Sequence, residues 1–291
     1  MSIDKLKLNK RLHANMNDLG YFTAKEFQLK SLSRIIGGHS LIGIAPEGAG
    51  KTSAYVLGVL MRMKYTQNEP PKVLILAPNE ERINEIVDRF RSISKNKNLP
   101  IIGLRASGTK DEEVQDLALG VDIVVATPNR ARSLYLKLGL NLNRIQTFIV
   151  DDAEEIVKQG MQTNVRELAQ SCGEVQYLAF SSVEHEKLHL MLDPFMPFAT
   201  LIEVEDLAQE SAETHELMRY QVPNFTTKIN LLNALMRDEE VFDKVVVFVN
   251  TRQTAQNLFQ RLHIKKGAAA VLHPFLHDDQ GFDSVADFKA N

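Results

Sequence analysis

The sequence predicts an α/β protein with parallel sheet, arranged as two parts in tandem, and three observations carry that expectation. Short apolar runs alternate with amphipathic stretches through most of the 291 residues. A glycine-rich loop, Ala45-Pro-Glu-Gly-Ala-Gly-Lys-Thr52, falls between one such run and one such stretch. After a polar, acidic segment at 206–216 the alternation starts again.

Taken in order, His39–Ala45 is an apolar strand leading into the loop, and Lys51–Met63 is a helix with Val56, Leu57, Val59 and Leu60 on its apolar side. Further strands are expected at Val73–Ala77, Ile101–Leu104, Asp122–Ala126, Thr147–Asp151, Gln176–Phe180 and Thr200–Val204. Glu80–Ser92, Asp111–Leu119 and Val165–Cys172 are amphipathic and supply helices between them. These elements make a first domain over 1–205, with 206–216 as a linker. The second domain, 217–291, begins with a strand at Leu217–Val222, a helix at Thr226–Arg237 and a strand at Lys244–Asn250. A helix at Arg252–Leu262, a strand at Ala268–Leu272 and a short helix at Ser284–Lys289 complete it. Three strands make about half of a doubly wound domain, so a protein partner or a second copy is expected to cover the open sheet edge.

Composition narrows the class. Hydrophobic residues at 44% and charged residues at 24% match a soluble globular chain. One cysteine, Cys172, excludes an internal disulfide and a cysteine-rich zinc site. The start lacks a signal peptide and no apolar run is long enough to span a bilayer, so a cytoplasmic location without membrane attachment is the default. A formal charge of −3 argues against indiscriminate nucleic-acid binding, and any such binding must use a local, salt-sensitive groove.

The chemistry is concentrated in two segments. Strand, glycine-rich loop and helix form the geometry in which backbone N–H groups and a helix N-terminus cradle phosphates. Gly48 and Gly50 let the backbone come close, with Glu47 and Ala49 completing the loop. Lys51 can neutralise the β/γ oxygens of a nucleoside triphosphate, and Thr52 can ligate Mg²⁺. Ala45 stands where the strict pattern wants glycine. The plainer reading, a turn followed by a chance Lys-Thr, does not explain the strand and helix on either side. Arg144–Asp152 is an apolar strand ending in two carboxylates. Asp151 suits Mg²⁺ held through its hydration shell, and Asp152 the orientation of an attacking water. The plainer reading there is an acidic helix start.

Several segments together, in order, resemble the DEAD-box RNA helicases. Gly20-Tyr21 through Phe27-Gln28 is similar to that family's adenine-reading segment, and Ala45–Thr52 to its phosphate loop. Ala77–Arg82 stands for its Pro-Thr-Arg-Glu-Leu-Ala, Ser107-Gly108 for its Gly-Gly doublet and Thr127-Pro-Asn-Arg130 for its Thr-Pro-Gly-Arg. Asp151-Asp-Ala-Glu154 stands for Asp-Glu-Ala-Asp, and Ser181-Ser-Val183 for Ser-Ala-Thr. In the second part, Val247–Arg252 and Leu272-His273 resemble early segments of the family's second domain. The resemblance implies a P-loop NTPase of two RecA-like domains, the second incomplete, with ATP and Mg²⁺ between them and RNA across both. It implies that Gln28 reads adenine, that Lys51, Asp151 and Asp152 serve catalysis, and that Ser181 couples nucleotide state to RNA. Gly108, Thr127 and Arg130 would touch the RNA backbone with little sequence preference.

The departures from that pattern are informative. Asp152 is one methylene shorter than the family's Glu, and a misplacement of about 1 Å can cost roughly 100-fold in rate. Val183 lacks a hydroxyl that the family uses, Glu80 replaces an Arg, Lys25 a Thr or Ser, and Ile3 an aromatic that stacks on adenine. The sequence ends before the family's arginine-finger segment, which is worth roughly 10³–10⁵ in turnover where it operates. Two readings follow: an ATP-dependent RNA helicase, or a non-hydrolysing relative that holds ATP, RNA or a partner. A remote third is a zinc hydrolase, because His185-Glu-Lys-Leu-His189 fits the HExxH pattern. That pattern needs a third ligand, and Glu203 and Glu205 lie on an expected strand.

Overall fold

A computed structural model describes residues 2–63, 70–96, 98–105, 110–205, 218–238 and 245–262. The chain divides into two compact units, Met1–Ala212 and Glu213–Asn291.

The first unit opens with helices α1 (Lys10–Asp18) and α2 (Glu26–Ile36), then strand β1 (Leu41–Ile44) and helix α3 (Lys51–Arg62). Strand β2 (Val73–Leu76), helix α4 (Glu80–Ser94), strand β3 (Ile101–Leu104), helix α5 (Lys110–Ala118) and strand β4 (Ile123–Ala126) follow. Helix α6 (Pro128–Leu136), strand β5 (Thr147–Val150), helices α7 (Ala153–Lys158) and α8 (Gln162–Gln170), strand β6 (Gln176–Ser181), helix α9 (Glu186–Leu192) and strand β7 (Thr200–Glu203) complete it. All seven strands are parallel and lie in the order β3-β4-β2-β5-β6-β1-β7.

Every residue of β1, β2, β4 and β5 is buried, as a parallel sheet covered on both faces requires. Side chains alternate between the faces. Leu41, Val73, Ile75 and Ile149 meet α1 to α4, whereas Ile42, Leu74, Leu76 and Phe148 meet α6, α8 and α9. On the first face Phe27, Tyr55 and Phe180 are fully buried, with Phe27 edge-on to Phe180 and the Tyr55 and Phe180 ring centroids 5.2 Å apart. Burying each such ring contributes about 1.5–3 kcal/mol, and this cluster joins α2, α3 and β6 behind the phosphate loop. Helices α2 and α3 approach closely at Gly58, where a Cβ would lie 2.3 Å from Ile35 Cγ2.

In the second unit, α10 (Phe225–Leu235) and α11 (Arg252–Arg261) form where amphipathic stretches predict them. Asn224 and Thr251 cap them by accepting from the amides of Thr227 and Thr254. The strands expected at Leu217–Val222 and Lys244–Asn250 are corrected: their described parts, 218–222 and 245–250, carry no strand. Val246 and Phe248 are 59% and 91% exposed, and among the described residues no neighbouring backbone pairs with theirs. The elements expected at Ala268–Leu272 and Ser284–Lys289 lie outside the described residues. Among the described residues no helix is long and apolar enough to cross a membrane.

Candidate functional site

Strand β1 delivers the chain into the glycine-rich loop, and α3 leaves it. Gly48 and Gly50 both hold left-handed backbone, at φ 75° and 89°, which only glycine adopts freely. A side chain at Gly50 would also collide with Gln28, whose Nε2 lies 2.7 Å from the position a Cβ would take. Gln28 therefore packs directly on the loop. It is buried, and its Oε1 accepts from the amide of Lys25 at 3.0 Å, which closes the start of α2. Lys25 braces the same loop, donating from its ammonium to the Gly48 carbonyl. Ala49 N–H donates to the Pro46 carbonyl at 3.2 Å, and Glu47 is exposed.

Lys51 is the first residue of α3 and only 6% exposed. Its ammonium donates to the carbonyls of Ala45 and, at 3.1 Å, Pro46. Burial lowers its pKa, against the pull of Glu154, Asp152 and Asp151. The loop borders a cleft of ≈ 540 Å³ that Gln28, Lys25, Thr52, Arg82 and Asp152 also line. That is the size range of a nucleotide pocket.

Opposite the loop, β5 ends at Val150 and places Asp151 fully inside the protein. Its Oδ2 accepts from Tyr55 Oη at 3.1 Å and from Arg82 Nε at 2.9 Å. Its Oδ1 is buried with no partner among the described residues. Asp152 turns the chain in left-handed backbone at φ 46°, an uncommon conformation for a non-glycine residue that costs of order 1–3 kcal/mol. Burial first, and the charge of Asp151 second, push the Asp152 carboxyl up to about 6.

Arg82 binds these groups together, and sequence reasoning missed it. It sits in the first turn of α4, where its amide is capped by Asn79 Oδ1 at 2.8 Å. Its guanidinium reaches Thr52 Oγ1 at 2.8 Å, Asp151 Oδ2 at 2.8 Å, Asp152 Oδ2 at 2.9 Å and Glu85 Oε2 at 2.7 Å. Burial alone would lower its pKa, yet Asp151, Tyr55 and Asp152 together raise it above the ordinary arginine value. With Glu80 at the Arg of the resembled Pro-Thr-Arg-Glu-Leu-Ala segment, Arg82 falls at its Leu. That charge in an apolar place was the signal available in the sequence.

The expectation that Thr52 and Asp151 hold Mg²⁺ meets a conflict here. Their oxygens are the hard donors Mg²⁺ prefers, but the ion demands near-octahedral oxygen at about 2.0–2.1 Å. The guanidinium already bonds Thr52 Oγ1 and Asp151 Oδ2, leaving of this set only the buried Asp151 Oδ1 without a partner among the described residues. With Arg82 in place one oxygen is left where the metal needs several, and the arrangement does not fit it.

Beside this centre, Glu154 accepts from the amide of Ser182 at 2.9 Å and from its hydroxyl. Burial would raise the Glu154 carboxyl, but hydrogen bonds from Ser182, its own backbone and Ser181 outweigh it and the net shift is downward. Ser181 is buried and donates to the Val183 carbonyl at 2.7 Å. Ser182 thus bridges the ends of β5 and β6, with Ser181, the residue the resemblance assigns to coupling, also acting on Glu154.

The residues expected at RNA are differently placed. Thr127 caps α6, its hydroxyl accepting from the Arg130 amide at 3.3 Å. Arg130 is 9% exposed, and its guanidinium pairs with Glu113 Oε2 at 2.8 Å. Glu113 Oε1 in turn accepts from the Arg105 amide at 2.8 Å. Arg130 is therefore a member of a buried ion pair rather than a solvent-facing cation. Gly108 lies outside the described residues. Ile3 is 3% exposed within the core, so it is not presented for stacking.

The HExxH pattern does not lie on one helix face. His185 is the N-cap of α9, its Nδ1 accepting from the Lys187 amide at 3.0 Å. His189 pairs with Glu184 at 3.0 Å. Among the described residues no group of three His, Cys, Asp or Glu is placed to hold a metal.

An all-parallel sheet with a phosphate-cradling loop after β1 and a carboxylate pair after β5 defines a RecA-like α/β domain. The model of the DEAD/DEAH box helicase family matches residues 25–188, and the chain belongs to that family. It is 25% identical to RNA helicase CrhR of Synechocystis sp. over 84% of this chain and 49% of that protein. It is 25% identical to DEAD-box ATP-dependent RNA helicase 30 of Arabidopsis thaliana over 94% of this chain and 47% of that protein. With DEAD-box ATP-dependent RNA helicase CshA of Streptococcus pneumoniae the identity is 24% over 99% and 55%. The chain spans about half the length of these curated relatives. A DEAD box protein from the hyperthermophile Methanococcus jannaschii has the same fold, with a TM-score of 0.67 at 22% identity, covering 100% of this chain and 77% of that one. Members of this family generally use ATP with Mg²⁺ and bind RNA.

Proposed function

We propose that this chain binds ATP at the loop after β1 and RNA through its backbone, in the manner of an ATP-dependent RNA helicase. The observation that carries the reading is the joint construction of the loop: Gly48 and Gly50 in left-handed backbone, Lys51 held beneath them, and Gln28 packed on Gly50. The triphosphate takes the amides of residues 48–52 and the N-terminus of α3. Lys51 is stored on the carbonyls of Ala45 and Pro46 and transfers its ammonium to the incoming phosphate oxygens. The Gln28 carboxamide has both a donor and an acceptor for the adenine edge, and its contact with Gly50 ties base reading to phosphate binding. RNA is assigned to the start of α6 and the segment around Gly108. Glu113 neutralises Arg130 there, so phosphate contacts fall mainly on backbone N–H groups and are insensitive to sequence.

One observation favours the second reading, a relative that holds ATP without useful turnover. Asp152, the residue that would orient water, is ion-paired with Arg82. Phosphate release from ATP, with and without single-stranded RNA, tests both readings beside Lys51→Ala. RNA-stimulated release that Lys51→Ala abolishes supports the helicase. ATP binding that Lys51→Ala abolishes, without release, supports the holding role. No ATP binding by the wild type refutes both.

A further inference from the structure

We propose that Arg82 is a built-in cation standing in for the divalent metal, so that this chain binds ATP without a metal ion. The inference rests on the reading that the loop after β1 holds ATP.

The geometry is specific. Thr52 Oγ1, Asp151 Oδ2 and Asp152 Oδ2 come from two separate places, the start of α3 and the turn that ends β5, and all three meet one guanidinium on α4. Thr52 and the strand-terminal carboxylate are the oxygens through which phosphate-loop proteins hold their metal. Arg82 takes them at 2.8 to 2.9 Å. The side chain is braced from behind by Glu85 and is only 21% exposed, so it is part of the wall and not a passing surface contact.

Charge gives the second argument. Asp151 and Asp152 put two negative charges beside a site meant for a polyanion. Glu154 beside Lys51 and Glu85 beside Arg82 add two more, so Lys51 and Arg82 offset only part of the negative charge, and Arg82 is the cation seated on the carboxylate pair itself. A metal ion entering the same oxygen set would meet the guanidinium at close range and be repelled. A triphosphate would instead find a planar donor group whose remaining N–H bonds suit phosphate oxygens. Arginine keeps its charge at every physiological pH, so the site's cation would depend neither on metal supply nor on protonation. Without Arg82 the two carboxylates would face the phosphates with Lys51 alone opposing them, and a divalent ion would have to supply the missing positive charge.

Titration of the full chain with a fluorescent ATP analogue, in excess Mg²⁺ and in excess EDTA, tests the proposal. Wild-type affinity is expected to change by less than about 3-fold between the two. Arg82→Leu is expected to weaken by roughly 10-fold or more in EDTA and to recover in Mg²⁺, the size of one charge-assisted hydrogen bond. Should Arg82→Leu fail to fold, the wild-type comparison decides alone. A wild type that loses roughly 10-fold or more in EDTA overturns the proposal while leaving ATP binding intact. An Arg82→Leu protein as indifferent to EDTA as the wild type also overturns it. A wild type that binds the analogue under neither condition overturns the ATP reading itself.

Discussion

Replacing Gly58 by alanine puts a methyl group where Ile35 already stands. The new Cβ would lie 2.3 Å from Ile35 Cγ2 and 3.1 Å from its Cβ, against 3.4 Å for ordinary contact. Ile35 is 1% exposed and has no solvent to swing into, so α2 and α3 must part by about 1 Å. Two terms oppose each other. Alanine in a helix interior gains about 1 kcal/mol over glycine, whereas overpacking a well-filled core costs roughly 1–3 kcal/mol. Because the clash is well inside contact and the neighbour is confined, the cost takes the upper end, and a net loss of about 2 kcal/mol is expected. At about 2–4 °C per kcal/mol in a unit of this size, the unfolding midpoint falls by roughly 4–8 °C. Since α2 carries Gln28 and α3 begins at Lys51, the same displacement should weaken ATP binding. Thermal unfolding and analogue titration measure the two effects, and a double-mutant cycle with Ile35→Ala isolates the contact. In the Ile35→Ala background, Gly58→Ala should be neutral or stabilising. Stabilisation by Gly58→Ala alone, or strict additivity with Ile35→Ala, would refute the reasoning.

Two further predictions concern charge. Asp152 has its carboxyl raised from 3.8 to about 6, so it favours the fold while protonated; that contribution is full below about pH 4 and is lost as pH rises through about 6. Asp152→Asn should therefore gain on wild type by about 1–2 kcal/mol between about pH 4 and pH 7.5, allowing for solvent screening; a flat difference in urea unfolding across that range contradicts this. Glu113→Ala should leave Arg130 buried without its carboxylate and cost about 3–5 kcal/mol. A measured loss under about 1 kcal/mol would show that the pair contributes little to the fold.

The strands of the first unit were legible because parallel strands covered on both faces read as nearly continuous apolar runs, as Val73–Leu76 and Ile123–Ala126 do. The same rule misled at 245–250, where Val246, Val247 and Phe248 are apolar but have no partner strand among the described residues. Helix α2 was missed because its start is closed by Lys25 and Gln28 instead of a Ser, Thr, Asp or Asn cap. Helix α6 carries a readable start, Thr127 as cap followed by Pro128. The phosphate loop was legible because its chemistry lies in eight consecutive residues. Arg82 and Glu113 were not, because their partners are non-local. Arg82 meets Asp151 only because β2 and β5 are neighbours in the sheet. In the sequence it is a charged residue on an amphipathic helix, marked only by standing where the resembled segment has Leu.

The position of β1 has a consequence for how this protein is made. Leu41 pairs with Leu178 on one side and Thr200 on the other, so the strand that delivers the phosphate loop finds its neighbours only after most of the first unit has been synthesised. Contacts so far apart in sequence form late and slowly. A nascent chain emerging from the ribosome would assemble β2, β3, β4 and β5 while β1 waits with its apolar residues exposed. The glycine-rich loop is thus anchored late, and a chain released before Gln176 would carry the whole loop yet lack both neighbours of the strand that leads into it.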